Sequence, residues 1–259
     1  MTKEEIQTRY SKLSQKDKDE LSWVLGVHEV ARASEDLQFY LRTMVLTMDE
    51  HDDKHPIKPL PMHKQYLQEL ASDFLREPLL LIEKSRQMMV TWLMVACHLW
   101  DAQFHEGRRI FFQSKKEVDA NHLIDRAKII YNNYPEPYKA IIHERYPART
   151  PQSYLKLEFY KNQSILQGTA QGADVLRQYT ASRIFSDEMA FQDKAEEAFI
   201  AAKPTIVGGG KFVGVSTPNF KNFFYLTARD SVWNKLITIM TLIIITSISS
   251  RNAHGQNQN

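Results

Sequence analysis

The chain has 259 residues, 43% of them hydrophobic, and a formal charge of +2. This is enough apolar material for one large or two small cored domains, and the near balance of charge excludes nucleic-acid binding by global basicity while leaving a local basic patch open. The single cysteine, Cys97, excludes both a disulfide framework and a cysteine metal site.

The N-terminus, MTKEEIQTRYSKLSQKDKDE, is charged and carries no apolar signal segment, so a reducing, cytoplasmic compartment is expected. Residues 1–50 read as mainly helical, with apolar positions at Leu21, Trp23, Val24, Leu37, Phe39, Leu41 and Val45. His51–Pro61, with three prolines and several charges, reads as a linker or loop. A helix follows from about Met62 to Leu75. Near its start lies Gln65, whose amide has the acceptor and donors to pair with an adenine edge. On local sequence alone, a solvated helix glutamine is the simpler account.

Leu79–Ile82 is a continuous apolar run suited to a buried parallel strand. From Trp92 to Phe104 the residues Leu93, Val95, Ala96, Leu99 and Trp100 recur at helical spacing. A strand entering a helix through a turn is where open α/β proteins bind phosphate, because the first N–H groups of a helix attract anions. The usual turn reads G-x-x-x-x-G-K-[ST]. Here it is Lys84, Ser85, Arg86, Gln87, Met88, Met89, Val90 and Thr91. Only the last matches: both glycines are missing, and Val90 occupies the lysine position. By itself this is more simply an ordinary strand–turn–helix of a core. Lys84 at the front of the loop and Thr91, placed to bind Mg²⁺, keep the phosphate reading open.

Arg108–Ser114 reads as a second strand and Lys115–Asn132 as a helix, stopped by Tyr134-Pro135-Glu136-Pro137. Tyr154–Tyr160 and Ser164–Thr169 look like a β-hairpin between parallel units. Ser182–Phe191 is an apolar strand ending in Asp187 and Glu188. Two adjacent carboxylates there suit a metal ligand and a water-orienting base, or equally an N-cap acid and a first-turn glutamate on a helix over 192–202. Pro204–Gly210 reads as a turn and Lys211–Val215 as another strand, closing on Ser216-Thr217-Pro218-Asn219. Strands alternating with helices predict an α/β fold.

Taken in order, PMHKQ, KSRQMMVT, SRIFSDEMAF and VSTPN followed by FFY resemble the ATPase domain of the large terminase subunit of tailed bacteriophages, over about residues 58–230. The ordered set is far more specific than any one member. The resemblance implies a P-loop NTPase of the ASCE type, with a central mainly parallel sheet flanked by helices. With it the chain divides into a helical N-terminal segment and linker over 1–57, an ATPase domain over 58–235 and, from its change of composition, an aberrant or disordered tail over 236–259. The resemblance further implies ATP hydrolysis that drives packaging of double-stranded DNA into a procapsid.

In that reading Gln65 reads adenine. The phosphate loop is Lys84, Ser85, Arg86, Gln87, Met88, Met89, Val90 and Thr91, with Lys84 as the displaced phosphate-binding lysine. Arg86 acts in cis on the γ-phosphate, Thr91 and Asp187 hold Mg²⁺, and Glu188 is the catalytic base. Ser216 and Thr217 sense the nucleotide, and Arg177 is a basic residue of unassigned role. The implied partners are the portal protein, the small terminase subunit and further copies in a ring, with no membrane, in the host cytoplasm. Met89 and Val90 depart from the usual glycine and lysine, so nucleotide binding without turnover, in a truncated remnant, is an alternative. A helicase-like motor is another. The chain also departs at its C-terminal end: no acidic residue follows Asp230, so no two-metal nuclease is expected, and the apolar run Leu236–Ile248 suggests a truncated or frame-shifted product prone to aggregation.

Overall fold

The helix α5 (Val90–Phe104) is buried over nearly every face, from Leu93 through Gln103, and the architecture follows from what must cover it. A helix apolar all round belongs inside a domain. The computed structural model describes residues 2–150, 155–172, 176, 179–219, 222–227 and 236–238.

On one side α5 lies against a sheet built from β3 (Leu79–Glu83), β4 (Arg109–Ser114), β5 (Ala148–Arg149), β6 (Lys156–Phe159), β7 (Ser164–Ala170), β8 (Arg183–Asp187), β9 (Lys211–Ser216) and β10 (Leu236–Thr238). Their order is β10-β3-β9-β8-β4-β7-β6-β5. Neighbours are parallel from β10 to β7, and the last two pairs are antiparallel. The expected hairpin is β6 with β7, whose inner strand, β7, also runs parallel to β4.

On its other side α5 is covered by helices. Packed on it are α3 (Leu37–Thr43), α4 (Gln65–Arg76) and, at its flank, α6 (Glu117–Asn132), with α2 (Gln15–Glu35) packed on α3 and α7 (Tyr138–Arg145) on α2; α1 (Lys3–Ser11) precedes them, its described residues exposed. In α4 the buried Leu67, Leu70, Ala71 and Phe74 follow the i, i+3, i+4, i+7 pattern of one apolar stripe. Trp100 of α5 donates its indole N–H to the Ala33 carbonyl, 2.7 Å away, and Val30, Leu37 and Tyr40 share a single apolar cluster with Leu93 and Val213. α2 and α3 thus complete the core of the sheet domain.

Three local expectations are corrected. Residues 46–48 leave the expected helix: β1 (Leu46–Met48) pairs antiparallel with β2 (Ile57–Pro59), so the stretch expected as a linker is the arm of a hairpin. Pro59 ends β2 in an isolated two-stranded ribbon, where a missing donor is tolerated. The helix expected over 192–202 is α8 (Ala195–Val207), which starts later because the Gln192 amide donates to Ser186 Oγ and the Asp187 carbonyl. It runs through Pro204, expected as a turn, and ends where the Gly208 N–H bonds the Pro204 carbonyl. The short α9 (Phe223–Thr227) follows β9. Of the stretch expected as an aberrant tail, Leu236–Thr238 forms the edge strand β10; residues 239–259 lie outside the described residues, as does Arg177.

At the N-terminal ends of β4 and β8, Asp101 is buried and pairs with Arg183, 2.5 Å away, and with Arg108 and His105 at 3.4 Å. At the opposite ends the strands stop in step: Glu83 of β3 sits beside Ser216 of β9, and Val215 of β9 beside Asp187 of β8. Gly214 lies in this packed region, where a Cβ would come within 2.7 Å of Leu81 Cδ2 and of Met189 Sδ. Among the described residues no helix is long and apolar enough to cross a membrane.

Candidate functional site

The level strand ends bring three loops together at the carboxyl edge of the sheet, where open α/β folds bind ligands. After β3 the chain turns through residues 84–89 into α5. Gln87 and Met89 adopt left-handed backbone angles, φ +60° and +58°. Met89 occupies the position of the usual second glycine and immediately precedes the helix, so the loop has a glycine-like bend without a glycine. Val90, at the usual lysine position, is buried in the core and brings no charge.

The cation comes from the front of the loop instead. Lys84 is 6% exposed, its N–H donates to the Ser216 carbonyl at 3.0 Å, and its ammonium lies 3.0 Å from Glu188 Oε1. Thr91 Oγ1 donates to Asp187 Oδ1 at 3.1 Å. Glu188 itself has a left-handed backbone, φ +48°. Its second oxygen accepts from Ser216 Oγ at 3.4 Å, from the Thr217 N–H at 3.4 Å and from Thr217 Oγ1 at 3.3 Å. Ser216 Oγ in turn accepts from the Ala190 N–H.

This geometry removes the helix-capping reading of the Asp-Glu pair. Lys194, not Asp187 or Glu188, precedes α8, and neither carboxylate caps a helix. Both face the loop. Burial pushes Asp187 up to about 6, opposed by the positive charge of Lys84, raised further by Glu188, and lowered again by Arg126 and the Thr91 hydrogen bond. A carboxyl shifted this far by burial beside a cation in a cleft is a candidate functional residue.

The cleft has a volume of about 910 Å³, within the range of small-molecule sites. Lys84, Arg86, Gln87, Met88, Met89, Val90 and Thr91 line it with Asp187 and Glu188; its far wall is the β1–β2 hairpin, including Met48, Glu50 and Pro59. An adjoining cavity of about 670 Å³ continues along α6 past His122 to Thr217. Ser85 lines neither cavity, and Ser216 lies buried beneath the floor.

Gln65 is not brought to the cleft. Its amide donates to Glu69 Oε1 on its own helix at 2.8 Å, and it lines a separate groove with Gln38 and Arg42. The next residue, Tyr66, faces the loop and donates to the Met88 carbonyl at 3.1 Å. Arg126 of α6 was not signalled by any motif. It lines both cavities, with its guanidinium 5.5 Å from the Trp92 ring.

A divalent cation fits the donor set. The Thr91 hydroxyl and Asp187 carboxylate are hard oxygen donors 3.1 Å apart at the cleft. Among the described residues no cluster of three or more acidic, histidine or cysteine side chains would hold a metal alone. Magnesium at phosphate sites uses one or two such protein oxygens and takes the rest from phosphates and water.

No protein-family model matches this sequence, and no curated protein matches it. Solved structures match in fold. The HK97 bacteriophage large terminase superposes with a TM-score of 0.55 at 13% identity, covering 75% of this chain and 40% of that one. The large terminase ATPase domain of the Thermus phage P74-26 gives 0.44 at 16% identity, covering 58% and 64%. A large terminase from a thermophilic bacteriophage, in complex with ADP, gives 0.45 at 14% identity, covering 68% and 44%. The chain therefore has the fold of part of the HK97 large terminase and spans less than half that protein's length.

Proposed function

We propose that this chain is the ATP-hydrolysing motor domain of a DNA-packaging large terminase. The observation that carries the reading is the double cross-link of the cleft, Lys84 to Glu188 and Thr91 to Asp187, between the loop after β3 and the end of β8. That pairing needs a cation and a hydroxyl in the loop, and two carboxylates of different roles at the strand end. The fold shared with HK97 large terminase supports it.

Lys84 and the unsatisfied N–H groups at the start of α5 hold the phosphates of ATP. Thr91 and Asp187 hold Mg²⁺, which when bound neutralises phosphate charge. Arg86, exposed at the lip of the cleft, reaches the γ-phosphate and spreads charge over its equatorial oxygens. Glu188 accepts a hydrogen bond from the attacking water and orients it in line with the γ-phosphate. An incoming phosphate competes with Glu188 for the Lys84 ammonium, so loading the site releases one oxygen of the base. The other oxygen stays on Thr217, which links the base to the end of β9. Double-stranded DNA, the portal protein, the small terminase subunit and further copies in a ring are the partners of this reading, acting in the host cytoplasm.

The test is phosphate release from ATP by the full chain, with and without double-stranded DNA. Release that DNA stimulates supports the motor. ATP binding with no release in either condition would replace it with the non-hydrolysing reading, which the buried Val90 at the lysine position favours. Failure to bind ATP at all would remove both.

A further inference from the structure

A loop that bends through two left-handed residues without glycine needs something to hold it. The left-handed conformation disfavours an ordinary side chain by about 1–2 kcal/mol per residue, and Gln87 and Met89 both adopt it. Between them lies Met88. Its carbonyl accepts the Tyr66 hydroxyl at 3.1 Å, and that hydroxyl arrives from the first turn of α4. The Tyr66 ring, with Met88 and Met89, packs on the main apolar cluster, so the donor is itself anchored. Burial raises the phenol's pKa, which keeps it a donor at neutral pH.

We propose that Tyr66 is a positioning residue for the phosphate loop: its hydroxyl fixes the Met88 peptide and so maintains the bend that glycines supply elsewhere. The inference rests on the ATP-binding reading, and it assigns to Tyr66 a contact with the loop backbone rather than with nucleotide. Rotating the Met88 carbonyl away would carry the neighbouring left-handed angles with it, and these set the path into α5 and the direction of its first N–H groups. Tyr66 thereby acts on the phosphates through the loop.

The experiment compares the full chain with Tyr66→Phe, Gln87→Gly and the double variant. Binding of a fluorescent ATP analogue and hydrogen exchange at the Met88–Val90 amides without nucleotide are both measured. Tyr66→Phe keeps the ring and its packing, and one lost hydrogen bond is expected to weaken affinity about two- to tenfold. Exchange at these amides should quicken. Gln87 is exposed, so Gln87→Gly removes strain without removing burial, and the double variant should recover the parent's affinity. Unchanged affinity and unchanged exchange in Tyr66→Phe overturn the proposal. So does a double variant that binds no better than Tyr66→Phe. If the parent chain binds no analogue, the ATP reading fails by itself, and the exchange comparison still decides whether Tyr66 holds the loop.

Discussion

Lys84 Nζ and Glu188 Oε1 stand 3.0 Å apart across the cleft although 104 residues separate them in the chain. One is the proposed phosphate-binding cation, the other the proposed base, and each satisfies the other. Lys84 is nearly buried, whereas the Glu188 side chain is 38% exposed, so the carboxylate is the partner that water and substrate can reach.

Lys84→Ala removes the buried positive charge at the front of the loop. A hydrogen bond to a charged group contributes about 1.5–3 kcal/mol, so ATP affinity should fall roughly 10- to 100-fold. Calorimetric titration of parent and variant checks this. Equal affinities would remove Lys84 from the phosphate site and leave the fold untouched.

Glu188→Gln keeps the shape and the hydrogen bonds from Thr217 while removing the base. Phosphate release should drop by about 10²- to 10⁴-fold with ATP affinity preserved or raised, since the amide competes less for Lys84; this is the signature of a group acting on the water. A variant that loses affinity and turnover together would instead make Glu188 a binding residue.

Asp187 gives a pH-dependent prediction. Burial raises it from 3.8 to about 6, so between these values the folded chain keeps a proton that the unfolded chain has released. The contribution of Asp187 to stability therefore declines as pH rises from about 4 to 6 and is level above that. Asp187→Asn should lack this contribution, so in nucleotide-free buffer it should be more stable than the parent by roughly 2–3 kcal/mol at pH 7.5, with no advantage near pH 3.5. Urea unfolding across this range would show it; parallel curves would contradict the raised carboxyl.

At the other end of the sheet Asp101→Ala leaves Arg183 buried without its carboxylate. Breaking a buried pair from one side costs about 3–5 kcal/mol, so a large fall in the urea midpoint is expected. Replacing both, by Asp101→Leu with Arg183→Met, should restore most of it. A single variant as stable as the parent would show that the pair is solvated.

The parts of the site that the sequence disclosed are those fixed by adjacency. Lys84 and Thr91 had to flank one loop, Asp187 and Glu188 had to end one strand, and Ser216 and Thr217 another. Once the strands align, these residues meet. Gln65 shows where such reasoning stops. Successive helix residues point about 100° apart, so an uncertainty of one position in helix phase decides whether Gln65 or Tyr66 faces the loop. The structure chooses Tyr66. Arg126 was illegible for another reason, since it reaches the cleft only through the packing of α6 beside α5. The three-residue strands of the β1–β2 hairpin are too short to show a period. The left-handed bends had no glycine to announce them.

β9 lies between the strand that carries the loop and the strand that carries the base, and Gly214 leaves it no room beside Leu81 and Met189. A joint with no clearance transmits displacement without backlash. Any shift of the backbone that carries Lys84 must either drag the tip of β9 along or break the Lys84–Ser216 backbone bond, so the strand serves as a tie rod between the two halves of the cleft. Adding even a methyl at position 214 would jam that joint before it altered any chemical group.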